Sequence, residues 1–317
     1  MKAIGIDIGG TKIAGALVDQ DGKILKESRV PSPAQDAKAM VAAVAGLINE
    51  LAEGEDVLGA GVAAAGFIDA KQANIIYAPN INWRNEPFKA RLEELVSIPV
   101  IIENDANAAG WAEYRYGAGK NYQHMVMLTL GTGVGGAIIV DGRMLRGGFG
   151  VAGELGHLRI VPDGRLCGCG QRGCIEQYGS GSALLKAARK LAGSGGPAGQ
   201  RLLELQTAAG GELSGQEVYQ AILERDAGAL RILAELGEYV GTAIASLSAV
   251  LDPEIVVIGG GVSAAGDLLL EPMRKAYLDH LPARGFRPEL KIVAAEFVND
   301  AGVVGAADLA RTSLGSR

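Results

Sequence analysis

The sequence predicts an α/β protein built as two similar lobes with a cleft between them, and three observations predict it. The chain has 317 residues, more than a single hydrophobic core usually serves. A strand–glycine turn–strand unit occurs twice, as D-I-G-G-T-K at 7–12 and as L-G-T-G-V-G-G at 130–136. Strand and helix signals alternate after each copy, and an internal duplication of this kind gives two related lobes. The lobes are expected at 1–120 and 121–317, the second carrying an inserted segment at 154–181.

The elements follow in order. Residues 2–9 read as an apolar strand, Gly9-Gly10-Thr11 as a turn and Lys12 to Val18 as the returning strand. Asp21-Gly22 is a turn signal before a third strand, Lys23 to Val30. From Ala37 to Leu51 apolar residues fall at 40, 41, 44, 47, 48 and 51, the spacing of a helix with one buried face. Val57 to Ala65 reads as a buried strand, and Pro99 to Glu103 as another, with a helix starting near Asp105. The second copy repeats the opening: strand Met125 to Leu130, turn Gly131-Thr132-Gly133, return Gly135 to Val140, and Asp141-Gly142 before Met144-Leu145. Helical spacing recurs at Ala183–Leu191, Gly215–Leu223, Leu230–Leu251 and about Leu268 to Leu281. Gly193 to Gly199 is expected to be a flexible loop. Glu254 to Ile258 and Lys291 to Ala294 are short strands, and Asp300 is the expected cap of a helix running through Leu309.

Composition narrows the function classes. With 48% hydrophobic and 21% charged residues the chain is an ordinary globular protein, and its 47 glycines point to tight turns and close backbone approaches. A net charge of −6 and the lack of any basic run argue against a nucleic-acid surface. The glycine-broken apolar run Val57 to Phe67 is too short to span a bilayer. Reduced thiols and a start directly on a strand pattern, without a leader, lead us to expect a cytoplasmic protein.

All three cysteines, 167, 169 and 174, lie close after His157, one of three histidines. Three sulfurs and an imidazole complete a tetrahedral zinc set, and no fourth cysteine exists to make two disulfides. Buried core thiols are the alternative, but Cys-x-Cys among glycines 168, 170 and 173 suits a core poorly. A closed four-ligand site leaves no position for substrate water, so the metal is a structural zinc, with a binding free energy of about 10–16 kcal/mol. Glu154 and Glu176 flank the ligands and are expected to be held as acceptors for a polyol.

Asp7 sits in an apolar strand, where an unpaired carboxylate costs several kcal/mol. The backbone N–H groups of Gly9 and Gly10, with the Thr11 hydroxyl, suit a polyphosphate whose magnesium lies near Asp7. A plain hairpin with Asp7 bonded locally is the alternative. The second copy at Gly131-Thr132-Gly133 favours phosphate clamped from both sides. Gly259-Gly260-Gly261 ends a strand before a helix, which is where open α/β sheets bind nucleotides, although a lone triple glycine is a weak signal. Glu103-Asn104-Asp105 also closes a strand and opens a helix. Asp105 is either a helix N-cap or a base for a sugar hydroxyl, with Asn104 orienting the sugar.

The strings D-I-G-G-T-K (7–12), E-N-D-A-N (103–107), L-G-T-G-V-G-G (130–136), G-E-L-G-H (153–157) and C-G-C-G-Q-R-G-C-I-E (167–176) resemble the ROK family of sugar kinases and sugar-responsive repressors. The resemblance covers essentially the whole chain, and the last two strings are the discriminating ones. It implies the duplicated actin/hexokinase-like, ribonuclease H-like fold. Within the family the chain is most similar to zinc-containing bacterial enzymes that use ATP to phosphorylate D-glucose. The resemblance further implies Asp105 as base, and sugar contacts from Asn104, Glu154, His157 and Glu176. The N-I-N-W loop at 80–83, with Asn80, also matches a loop near the sugar, and Gly66 precedes it. Phosphate contacts are implied from Thr11, Lys12, Thr132 and Gly133, adenosine contacts around Gly260 and Gly261, and a homodimer or homotetramer.

Two other readings compete. A sugar-responsive regulator of the same family is expected to carry a helix-turn-helix before the lobes, and Asp7 lies too near the start for one. A kinase for N-acetylmannosamine, fructose or mannose fits Glu154 and Glu176 equally well.

Overall fold

A computed structural model gives the fold and describes residues 1–34, 36–78 and 83–315. The chain forms two compact units: Met1–Met125 with Ala137–Gly153 and Glu296–Arg317, and Val126–Gly136 with Glu154–Ala295. The C-terminal helix, which a single cut after residue 120 assigns to the second lobe, therefore packs in the first unit.

The first unit opens with strands β1 (Lys2–Ile8), β2 (Lys12–Val18) and β3 (Ile24–Pro31), helix α1 (Ala37–Ala52) and strand β4 (Val57–Ala64). A small sheet of β5 (Phe67–Ile68), β6 (Ile75–Ala78) and β7 (Trp83–Glu86) follows, then α2 (Phe88–Glu93), β8 (Val100–Asn104) and α3 (Asp105–Tyr116). The main sheet runs β3-β2-β1-β4-β8. β1 and β2 form the expected antiparallel hairpin, and β1, β4 and β8 are parallel. Their register sets Asp7 beside Ala63 and Ala63 beside Glu103, so Asp7 and the Glu103-Asn104-Asp105 junction leave the sheet at one carboxyl edge.

Helix α1 forms where its apolar spacing predicts, and the Asp36 carboxylate caps it by accepting the backbone N–H groups of Lys38 and Ala39 at 2.9 and 3.0 Å. Its buried face, with Val44, Leu47 and Ile48, packs on Ile4, Ile6 and Val62. The other sheet face carries small residues. The C-terminal helix, Ala301–Leu314, approaches so closely that a Cβ at Gly5 or Gly61 would strike the carbonyls of Val303 or Ala306. Asp300 precedes this helix but its side chain makes no capping bond, because its backbone (φ −109°, ψ 4°) is not in the extended region that an N-cap needs. The helix also continues past the expected Leu309.

Later in the chain come β9 (Met125–Leu130), β10 (Val134–Val140) and β11 (Arg143–Met144), then helices α4 (Glu176–Gly179), α5 (Gly181–Ala192), α6 (Gln200–Ala208), α7 (Gly215–Leu223) and α8 (Ala227–Leu251). Strand β12 (Ile255–Gly259), helix α9 (Asp267–His280) and strand β13 (Lys291–Ala294) complete this part. The second large sheet runs β11-β10-β9-β12-β13, the same sequence-order pattern as the first. Helix α8 starts three residues before the expected Leu230, because the Asp226 carboxylate caps it by accepting the Ala229 N–H at 2.8 Å. The expected loop at 193–199 closes on a 3-10 turn, Pro197–Gly199, that leads directly into α6, a helix the sequence reading passed over. No helix among the described residues is long and apolar enough to cross a membrane.

Candidate active site

Asp7 lies one residue before the end of β1, half-buried, with its carboxylate against Gly302 of the C-terminal helix, where a Cβ would come within 2.8 Å of Oδ2. Burial and the neighbouring Asp105 charge push its pKa up to about 6, against the opposing pull of Lys12. In the turn that follows, the Gly9 N–H donates to the Lys12 carbonyl at 3.0 Å, leaving Gly10, Thr11 and Lys12 exposed.

At the end of β8 the two polar residues divide their work. Asn104 is the N-cap of α3: its Oδ1 accepts the Asn107 N–H at 3.0 Å, while its Nδ2 donates to the Gly66 carbonyl at 3.1 Å. Asp105 is the first residue of the helix and is released from capping; its carboxylate accepts the adjacent Ala106 N–H at 2.9 Å. The cap alternative for Asp105 thus passes to its neighbour. Burial holds the Asp105 carboxyl above the usual carboxylate range, against the lowering effect of the Ala106 N–H and of its own backbone N–H.

Glu103 holds this junction in place. It is buried, and its carboxylate accepts Arg146 Nε at 2.8 Å, Gln72 Nε2 at 3.0 Å, Asn107 Nδ2 at 3.0 Å and the Asn104 N–H at 3.0 Å. Neither the Glu103 hub nor Arg146 was singled out from the sequence. The one signal was the position of Arg146 at the head of a glycine-rich run.

In the second unit His157 ends a 3-10 turn, Leu155–His157, that follows Glu154 directly. The cysteines sit on a tight hairpin closed by the Cys167 N–H donating to the Gln171 carbonyl at 2.8 Å and by pairing of Leu166 with Arg172. The ligand atoms of His157, Cys167, Cys169 and Cys174 lie within 4.8 Å of one another, with Cys167 Sγ 3.7 Å from His157 Nδ1 and Cys169 Sγ 3.7 Å from Cys174 Sγ. Tetrahedral zinc at ordinary bond lengths requires edges of about 3.8 Å between sulfurs and about 3.6 Å between sulfur and nitrogen. The set fits that geometry. Burial, with the neighbouring Cys169 and Cys167, pushes the Cys174 thiol up to about 12, so its thiolate would need a bound cation to be stable.

Glu176 begins α4, and its carboxylate faces two ways: Oε1 lies 3.6 Å from Cys167 Sγ, and Oε2 accepts the Val134 N–H at 3.2 Å. The hairpin it touches is the second glycine turn, closed by the Gly131 N–H donating to the Gly133 carbonyl at 3.0 Å. Beside it opens a cavity of about 740 Å³ lined by Thr132, Gly181, Leu185, Gln216, Tyr219 and Gly261 among others. Its largely apolar walls and position at the carboxyl ends of β9 and β12 suit a flat heterocycle with phosphates toward Thr132. Gly260, beside the cavity, is held against the Leu130 backbone, where a Cβ would not fit. Helix α7, which supplies Tyr219, is a wall that the sequence reading did not assign. Asn80 lies outside the described residues.

The ROK family model matches residues 3–313. The chain belongs to the ROK family. It is 43% identical over 308 residues to a glucokinase of Streptomyces coelicolor, covering 97% of each chain. It is also similar to an N-acetylmannosamine kinase of Escherichia coli, at 38% identity over 98% of this chain and 99% of that one. Among solved structures it resembles a ROK family glucokinase from Streptomyces griseus in complex with glucose and AMPPNP, with a TM-score of 0.87 and 43% identity over 98% of this chain and 100% of that one. The actin/hexokinase-like ROK fold is thus the fold of this chain, and the duplicated sheet order is its signature here.

Proposed function

We propose that this chain transfers the terminal phosphoryl group of ATP to the 6-hydroxyl of D-glucose, with Asp105 as general base. The observation that carries the reading is Asp105 itself: freed from capping by Asn104, held above the usual carboxylate range by burial, and fixed beyond β8 by the Glu103 hub. A carboxylate so placed takes the proton as the sugar oxygen attacks phosphorus, and ADP leaves. Asn104, Gly66, Asn80, Glu154, His157 and Glu176 are the proposed sugar contacts. The hairpins at Gly9–Lys12 and Gly131–Gly133 offer N–H groups and hydroxyls to phosphate, Gly260 and Gly261 border the adenosine, and Asp7 holds magnesium. Zinc, closed off by four protein ligands, supplies rigidity and no chemistry.

The glucokinase relatives and the glucose complex of the Streptomyces griseus enzyme support glucose as acceptor. The N-acetylmannosamine kinase relative supports a second reading, a kinase for that sugar. A coupled ATP-consumption assay across glucose, mannose, fructose and N-acetylmannosamine decides between them: glucose is expected to give the highest kcat/KM. Turnover on none of them, with sugar still bound, would leave a non-catalytic regulator. We place the protein in the cytoplasm, as a homodimer or homotetramer that engages neither membrane nor nucleic acid; light scattering on the purified protein tests the assembly.

A further inference from the structure

We propose that the metal knuckle governs nucleotide binding by bracing the second glycine hairpin, with Glu176 as the positioning residue. This rests on the reading of that hairpin as the holder of ATP phosphates. Three segments adjoining the metal ligands land on the four residues Gly131 to Val134. Just before His157, Gly156 packs on the Val134 carbonyl so tightly that a Cβ there would collide with it. Two residues after Cys174, Glu176 accepts the Val134 N–H at 3.2 Å and fills the space that a side chain at Gly133 would need. Five residues further on, the Gly181 N–H donates to the Gly131 carbonyl at 2.7 Å.

The hairpin's phosphate-facing groups are backbone N–H donors and a short hydroxyl, whose directions depend on the backbone alone. A hairpin of glycines cannot hold such a backbone by its own side chains. The knuckle, with little hydrophobic content, gains its fixed shape from the metal, and its flanks pass that shape to the hairpin. Glu176 is the one charged side chain in this brace. A carboxylate-to-N–H bond of this kind contributes enough that its loss corresponds to about a tenfold change in an equilibrium.

The test measures binding of magnesium-ADP by calorimetry with no sugar present, alongside hydrogen exchange at the Val134 amide. Protein stripped of zinc by a chelator, then freed of the chelator, should bind ADP about tenfold more weakly, and zinc should restore the affinity. E176A should keep its zinc by elemental analysis, lose about tenfold in ADP affinity and lose protection at Val134. E176Q, which retains an acceptor oxygen, should recover most of both. Unchanged ADP affinity in zinc-loaded E176A, or in folded zinc-free protein, overturns the inference. Wild-type protein that binds no ADP sinks the kinase reading and the nucleotide half of this one, while exchange at Val134 still decides whether the brace exists.

Discussion

If Asp105 is the proposed base, replacing it by Asn should separate catalysis from folding. Asn keeps an oxygen for the Ala106 N–H, and the cap of α3 stays with Asn104, so the helix start is undisturbed. Loss of a negative charge in the first helical turn costs about 0.3–1 kcal/mol, and relief of a buried carboxylate works the other way. The melting temperature should therefore move by only a few degrees. Turnover should fall by about 10²–10⁴, the contribution of a positioned general base, with sugar affinity nearly unchanged. A second readout follows from Asp7. Its pKa of about 6 is raised first by burial and next by the Asp105 charge. In D105N the Asp7 pKa should drop, so magnesium-nucleotide binding should persist to lower pH than in wild type. Coupled assays for kcat, calorimetry for glucose, and ADP titrations between pH 5 and pH 7 measure the three quantities. A D105N protein that keeps kcat within about tenfold of wild type removes Asp105 as the base.

Three further perturbations probe the supports. Cys169→Ser should strip zinc, seen by elemental analysis, and weaken glucose binding, since Cys169 is the exposed member of the set and the serine hydroxyl is a poor ligand. Arg146→Gln leaves the buried Glu103 carboxylate without its cation; breaking such a pair costs about 3–5 kcal/mol, discounted because Arg146 is partly exposed, and kcat should fall with the melting temperature. Adding E103Q should recover stability in part, a comparison that thermal melts provide. For Asp7, the raised pKa means that the folded state holds the proton more tightly than the unfolded one. Its contribution to stability is therefore present at low pH and is lost as pH rises from 3.8 to about 6. If Asp7 holds magnesium as proposed, magnesium-nucleotide binding needs the ionised form and should run the opposite way, weakening about tenfold per pH unit below 6, and D7N should abolish that dependence.

The parts of the fold legible in the sequence are those set by local spacing. The hairpins showed because glycines interrupt apolar strands at fixed offsets, and α1 showed because its apolar residues keep a helical period. The metal set showed because three cysteines and a histidine converge within one short segment. Strands β5 to β7, of two to four residues, are shorter than the window in which alternation can be read. The Glu103–Arg146 pair joins residues 43 apart and leaves no local trace. The assignment of the cap at Asn104-Asp105 turned on a single residue, and either side chain is a good capping group. At the C-terminus the expected helix ends at Leu309, yet Arg311 bonds Tyr116 Oη, far away in the sequence, at 2.6 Å and also the Asp308 carboxylate, and these bonds hold the last turn in the helix.

The two glycine hairpins share a pattern but not a support. In the first, β1 is flanked by β2 and β4, and the C-terminal helix presses on the sheet face at Gly5 and Gly61 and meets Asp7 at Gly302. That packing needs only small residues and an apolar face, and it positions a carboxylate whose charge state is set by burial. In the second, Gly131 to Val134 is gripped by Gly156, Glu176 and Gly181, all on segments next to metal ligands. Packing energy spreads over many contacts and is lost gradually on mutation, whereas a metal site is lost as a unit with its ion. Zinc removal should therefore disable the hairpin at Gly131–Gly133 while leaving the one at Gly9–Lys12 ordered. Amide exchange in the two hairpins of zinc-free protein distinguishes them directly: protection lost at Val134 and retained at Gly9 is the expected pattern, and equal loss in both would mean that the metal supports the whole fold rather than one turn of it.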